Sequence, residues 1–251
     1  MSPERPWNIE SVLKLLAGLF ICLSFGTLLT MAATSLAKEL SPEQQKFLRS
    51  VCGTLFFQGS ILVLAHYFLK GQGVTWRELM GWAGAGAGRA AVIAIVFAIV
   101  SLPAVLWLNS LSQLVITKLF GEPPLQPAIQ VLEGAQAIRQ QIVVAISTMI
   151  LAPLSEEILF RGVLYRTVQQ AGYRRVALVG TSLVFALIHG SAMTILPLTV
   201  LAMGFCVLYD RTGRLIAPVL AHSAFNCANF FLYLNRHELL KWWEGVKSQI
   251  G

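Results

Sequence analysis

The chain has 251 residues, 56% of them hydrophobic and only 12% charged, where ordinary soluble domains carry about 25% charged residues. That balance excludes a soluble globular domain and leaves room for about seven membrane spans of roughly 20 residues each. The formal net charge of +7 is scattered between apolar runs, with no basic stripe interleaved with aromatics, so it argues against nucleic acid as a partner and for anionic membrane lipids.

In chain order, the first apolar run is Val12–Ala33. It exceeds the roughly 7–15 residues of a secretory signal core, so a retained span is expected; cleavage after Ser35-Leu36-Ala37 is the alternative. Ser41-Pro42-Glu43-Gln44 has capping-box spacing with proline at the first helical position, which marks a helix start ahead of the second span, Val51–Leu69. Val74–Met80, with Trp76 beside Arg77 and Glu78, suits an interfacial helix turn. Gly81–Gly88 lacks the GxGxxG spacing and any βαβ context, so it reads as a hinge or a close helix approach, not as a nucleotide loop. The third span is Ala90–Leu108, and Leu111–Phe120 either extends it or doubles it into an eighth.

Three prolines in Gly121–Gln141 rule out one continuous helix there, and the second part of that stretch suits an amphipathic approach to the fourth span. The remaining spans are Ile142–Phe160, Val176–His189, Ile195–Tyr209 and Leu215–Leu234. The expected fold is therefore all-α: a polytopic integral membrane bundle of seven helices, or eight. It forms one membrane domain, with N-terminal spans over 1–140, a catalytic core over 141–235 and a polar tail over 236–251. Cys22, Cys52, Cys206 and Cys227 lie inside apolar segments without CxxC spacing and read as small buried hydrophobes.

Seven spans would put eleven basic residues on the N-terminal side and eight on the other. This favours a cytoplasmic N-terminus in a bacterial-type inner membrane, with the polar site toward the cytoplasm. His189 fits that topology only if the fifth span tilts strongly, or if the Arg166–Arg175 segment stays helical and dips into the bundle.

Function is concentrated in a few ionisable residues. Glu156, Glu157 and Arg161 follow a stretch without charge, Gln141–Leu154, and His189 and His222 lie in similar apolar surroundings. An ionisable group at the centre of a membrane helix costs roughly 2.5–3.5 kcal/mol on insertion scales, so such residues usually mark function. Glu157 and Arg161 stand at i and i+4 in the favoured order for an ion pair. Glu156, about 100° away around the helix, has no local cation, and burial without a partner suits a carboxyl to general acid or base work. The expected division is Glu157 and Arg161 structural, Glu156 chemical. His222 and Asn226, also i and i+4, could aim an imidazole and an amide at one spot as an oxyanion hole. His189 would orient Glu156 or share its water. His66 reads as interfacial, His237 as exposed and Phe185 as a packing residue.

These segments resemble the CPBP (Abi) family, the type II CAAX prenyl endopeptidases and their bacterial relatives. Its EExxxR, FxxxH and HxxxN (or HxxxD) signatures correspond to Glu156-Glu157-Ile158-Leu159-Phe160-Arg161, Phe185-Ala186-Leu187-Ile188-His189 and His222-Ser223-Ala224-Phe225-Asn226. All three stand in the family's order, within the C-terminal half. The resemblance implies an α-helical intramembrane endopeptidase acting on membrane-associated or lipid-modified (CAAX-type, prenylated) proteins. In it Glu156 and His189 activate water, and His222 and Asn226 stabilise the oxyanion, with no cofactor. The mechanistic rival is zinc held by Glu156, His189 and His222; it lacks an HExxH motif and a second-shell carboxylate nearby in sequence. A proton-coupled transporter is disfavoured by the absence of an inverted repeat. A non-catalytic scaffold or bacteriocin-immunity protein of the same family is the remaining alternative.

Overall fold

The computed structural model describes residues 6–37, 39–82, 86–122, 126–135, 137–238 and 241; all are helix, turn or connecting loop, with no strand among them. Parts of three expected segments lie outside the described residues: 83–85 of the glycine-rich stretch, 123–125 and 136 of the proline-rich connection, and most of the tail after residue 238.

Helix α1 (Ile9–Leu36) buries a narrow stripe, Val12, Leu15, Leu19, Gly26, Thr30 and Thr34, spaced by three, four or seven residues as a helix face requires. That stripe packs on α2 (Pro42–Gln72), while Phe20, Ile21 and Leu28 face outward, 65–72% exposed. Broad apolar exposure of this kind suits contact with lipid tails. Ser41 caps α2 through the expected capping box: its hydroxyl accepts from Gln44 N, and the Gln44 side chain accepts from Ser41 N. The helix therefore starts nine residues before the expected span at Val51. Helix α3 (Trp76–Met80) is one short turn closed by Thr75 and Glu78 in a second capping box. These hydrogen bonds from the Thr75 hydroxyl and backbone hold the Glu78 carboxyl below its ordinary range.

Helix α4 runs unbroken over Ala87–Phe120 with Pro103 inside it, so Leu111–Phe120 extends the third span and does not double it. Its buried Ala90, Ala94 and Ala98 form an i, i+4 row that lets α10 (Ala192–Thr212) and α11 (Ile216–Leu234) pack against it. The closest approach is at Gly204, where an added Cβ would come within 2.5 Å of Phe97 Cζ. Gly81 meets a double demand: its φ is +73°, and an added Cβ would lie 2.9 Å from Arg214 Cγ.

Helix α5 (Pro127–Gly134) packs on α2 and leads to a helical run of 33 residues, Ile138–Gln170. This run comprises α6 (Ile138–Ile146), a π-helical segment π1 (Ser147–Leu151), α7 (Ala152–Glu157), a second one, π2 (Ile158–Tyr165), and α8 (Arg166–Gln170). A turn at Gly172, φ +93°, reverses the chain into α9 (Arg174–Leu187).

Among the described residues, five helices are long and apolar enough to cross a membrane: α1, α2 from Gln44, α4, the Ile138–Gln170 run and α10. The protein is a multi-pass integral membrane helix bundle, with the expected fifth and seventh spans departing from the pattern. With 14 residues, α9 is only about 21 Å long, short of a bilayer core of about 30 Å. Helix α11 has 19 residues, but His222, Asn226 and Asn229 dilute its apolarity. Shortness of α9 also takes His189 out of a helix. The chain stays helical to Gln170 and turns, and His189 stands just beyond the end of α9 in a turn closed by Gly190, φ +68°. Non-helical backbone at membrane depth is tolerated where protein surrounds it or it lines a cavity.

Candidate active site

The glutamate pair lies at the end of α7, between the two π segments. Pro153 accounts for much of this local geometry. In π1, Ala152 N–H bonds Ser147 O in the i→i+5 register. The next bond in that register would run from residue 153 to Thr148 O, but proline has no N–H to give. Asn226 of α11 supplies the missing donor: its Nδ2 reaches Thr148 O at 2.8 Å. Single π turns inside α-helices recur at functional sites, and here two of them flank the residues singled out by charge.

Glu157 is fully buried and holds Arg161, 1% exposed, at 2.8 Å through Oε1. The Arg161 guanidinium lies between the rings of Phe185 and Phe205, 4.8 and 5.2 Å from their centroids, and its Nη2 donates to Ala202 O at 2.9 Å. One arginine thus ties π2 to α9 and α10. The same Glu157 Oε1 accepts from His222 Nδ1 at 2.9 Å, and the imidazole stacks on Phe205 with 5.1 Å between centroids. Because a carboxylate can only accept, Nδ1 carries the proton and Nε2 is turned toward the other glutamate. The separation from His222 Nε2 to Glu156 Oε2 is 4.0 Å.

Glu156 itself makes no hydrogen bond among the described residues, and its Oε2 is buried without a partner. His189 is half-buried; its Nδ1 donates to Phe185 O at 2.7 Å and its ring lies 4.8 Å from that of Phe185. No hydrogen bond joins His189 to Glu156 or His222 among the described residues. Phe185 is the common wall, its ring 5.8 Å from His222 and 5.1 Å from Phe160.

Glu157, Arg161 and His222 are therefore joined directly, with Glu156 4.0 Å from His222 Nε2, whereas His189 reaches them through Phe185. Asn226 gives one amide N–H to the backbone of π1, while His222 turns Nε2 toward Glu156. The second-shell carboxylate missing from the sequence neighbourhood of the histidines is Glu157, 65 positions from His222. No three His, Cys, Asp or Glu side chains converge as a metal site among the described residues. The cysteines are free, with Cys206 buried. His66 accepts from Trp76 Nε1 at 3.2 Å, and His237 is exposed.

Sequence reasoning missed Trp7. Its indole Nε1 donates to Gly162 O in π2 at 2.8 Å, its backbone N–H reaches Gln170 Oε1, and Arg166 covers its ring at 4.1 Å. A tryptophan beside a proline ahead of the first span was the available signal.

Fold and site together define a polytopic helical membrane protein with a buried Glu–Arg–His cluster beside one unbonded carboxylate. Residues 138–228, which contain all three motifs, match the family described as Type II CAAX prenyl endopeptidase Rce1-like. Over this segment the chain is similar to the family that the three motifs suggested. Among curated proteins, the chain is 29% identical over 96 residues to "Putative membrane peptidase YdiL" of Bacillus subtilis (strain 168), covering 38% of each. It is 32% identical over 78 residues to "UPF0177 protein YxdF" of Lactococcus lactis subsp. lactis (strain IL1403), covering 31% of this chain and 42% of that one. The matches thus span about two fifths of these relatives' lengths. No solved structure matches.

Proposed function

We propose that the protein is an intramembrane endopeptidase that hydrolyses peptide bonds of membrane-associated or lipid-modified, CAAX-type proteins through a water activated by Glu156. The observation that carries this reading is the contrast within the glutamate pair. Glu157 is consumed by Arg161 and His222, while Glu156 is buried, unbonded and 4.0 Å from the free nitrogen of the same histidine.

Glu156 takes a proton from water, and the resulting hydroxide oxygen bonds to the scissile carbonyl carbon. The tetrahedral oxyanion then collapses, the C–N bond breaks, and Glu156 returns the proton to the leaving amine. His222 donates to the oxyanion from Nε2. Nδ1 donates to Glu157 in the same step, so both ring nitrogens act as donors there. The amide of Asn226 has two N–H donors; one holds Thr148 O and the other remains for the oxyanion. His189, with Nδ1 fixed by Phe185 O, turns Nε2 to the water. The site opens toward the cytoplasm of a bacterial-type inner membrane, and the substrate partner is a peptide segment, prenylated or not.

A zinc mechanism is the second reading, favoured by one feature. Both imidazoles have Nδ1 engaged by an oxygen and Nε2 left over, an arrangement common around metal-bound histidines. The deciding experiment is cleavage of a panel of prenylated and unprenylated peptides by the purified, detergent-solubilised protein. Wild type is run beside Glu156→Gln, with and without a strong chelator. Chelator-resistant cleavage that vanishes in the variant supports the glutamate reading, whereas chelator-sensitive cleavage restored by zinc supports the metal one. No cleavage of any peptide would shift the balance to a scaffold or immunity role.

A further inference from the structure

Helix α2 carries a polar residue that the proposed chemistry does not use. Gln58 is 4% exposed, and its Oε1 is buried without a hydrogen-bond partner among the described residues. It belongs to the buried stripe Gln58, Ile61, Ala65 and Phe68, spaced by three and four residues and therefore on one helix face.

The position of that face is fixed by its neighbours. Ile61 and Ala65 line a small apolar cavity together with Ile158, Leu159 and Val163 of π2. Further along, Phe68 packs edge-on against Trp7, whose indole binds Gly162. The stripe thus runs along the catalytic run, Ile61 and Ala65 beside Ile158, Leu159 and Val163, and Phe68 beside the tryptophan that holds Gly162. One turn before Ile61, about 4.5 Å along the axis, Gln58 comes level with α7, on which α2 also packs. Three buried acceptor oxygens lack partners among the described residues, Glu156 Oε2, Glu157 Oε2 and Gln58 Oε1; the third comes from the N-terminal half, on a helix that packs against the one carrying the other two.

An unpaired buried acceptor destabilises a protein and is uncommon in folded structures, so each case calls for a reason. A peptide presented for hydrolysis supplies one. To expose its scissile bond the segment must leave the helical state, and every backbone N–H it frees in an apolar bundle needs an acceptor. We propose that Gln58 is a substrate-binding residue whose amide oxygen accepts a backbone N–H of the peptide segment presented to Glu156. The inference rests on the endopeptidase reading and extends the site into the N-terminal half, outside the Rce1-like segment.

A structural polar residue and a substrate-binding one respond oppositely to apolar replacement. Gln58→Met, the unbranched apolar substitute, and Gln58→Leu are purified beside wild type. Each is examined by thermal unfolding and by steady-state cleavage of whichever peptide of the prenylated and unprenylated panel wild type cleaves. The expected result is a thermal midpoint raised by about 2–4 °C, because an unpaired acceptor is removed, together with a KM raised about three- to tenfold. A lowered midpoint in both variants, or a raised one with unchanged KM and kcat, overturns the inference while leaving the endopeptidase reading intact. Failure of that reading looks different: wild type cleaves nothing, or Glu156→Gln cleaves as well as wild type, and the assignment of Gln58 falls with it.

Discussion

Replacing Arg161 by methionine isolates the electrostatic anchor of the site. The substitution removes the 2.8 Å contact to Glu157 and the 2.9 Å bond to Ala202 O, and it empties the slot between Phe185 and Phe205. Glu157, fully buried, then keeps His222 as its one hydrogen-bonding partner. Breaking a buried ion pair from one side costs about 3–5 kcal/mol, since it strands a charge. The lost bond to Ala202 is part of that sum and not an addition to it. Against a total stability of about 5–15 kcal/mol the loss is severe, and at about 2–4 °C per kcal/mol it lowers the thermal midpoint by roughly 6–20 °C. The assay is thermal unfolding in detergent of Arg161→Met, Glu157→Leu and the double variant. Because an apolar pair of similar volume replaces a buried ion pair at little or no cost, the double variant recovers most of the loss. It remains inactive, because His222 has lost the oxygen that orients it. A single-variant loss below about 1 kcal/mol, or a double variant that falls by the sum of the singles, refutes the reasoning.

Glu156→Gln keeps the wild-type thermal midpoint, since the carboxylate makes no hydrogen bond to lose, and cuts peptide turnover about 100- to 10,000-fold; a turnover close to wild type removes Glu156 from the chemistry. Trp7→Phe preserves the edge contact to Phe68 but deletes the donor to Gly162 O. It lowers stability by about 0.5–1.5 kcal/mol, read as a lower unfolding midpoint, and an unchanged midpoint would show that the indole N–H holds nothing. Gly204→Ala places a methyl group 2.5 Å from Phe97 Cζ and costs about 1–3 kcal/mol through overpacking. Pairing it with Phe97→Leu should relieve the clash, and a lack of relief would mean that α4 and α10 do not meet there.

The helices of the N-terminal half were legible because their signals are local. Apolar run length gives the spans, and Ser41-Pro42-Glu43-Gln44 announces a helix start that the structure contains. The Glu157–Arg161 contact was legible for the same reason, because four residues along a helix fix it. What could not be read was set by partners distant in sequence. The missing acceptor of His222 lies 65 positions away, the carbonyl held by Asn226 78 positions away, and the anchor for Trp7 155 positions away. Apolar length also misleads where a helix stops inside the bundle. Val176–His189 has the composition of a span, but Gly172 and Gly190 turn the chain at both ends of α9, leaving His189 on a turn and not in mid-helix.

Proline at 153 shows how a sequence feature that looks like a defect can build a site. In a plain α-helix it would simply lose the bond to the carbonyl four residues back and kink the chain. In the wider π register the vacated carbonyl is Thr148 O, and Asn226 fills it from α11. His222, one turn earlier on the same helix, is thereby held at a fixed height against the glutamates, where Glu157 sets its tautomer. Two independent contacts, one to backbone and one to carboxylate, determine the position and rotation of α11 relative to Glu156. A general base 4.0 Å from the ring works only if that distance is kept through turnover. Asn226→Ala should therefore act in two ways, removing an oxyanion donor and loosening His222. Asn226→Asp, which cannot donate to Thr148 O when ionised, would share the second effect and leave a carboxylate facing a carbonyl, so it should be the more damaging of the two.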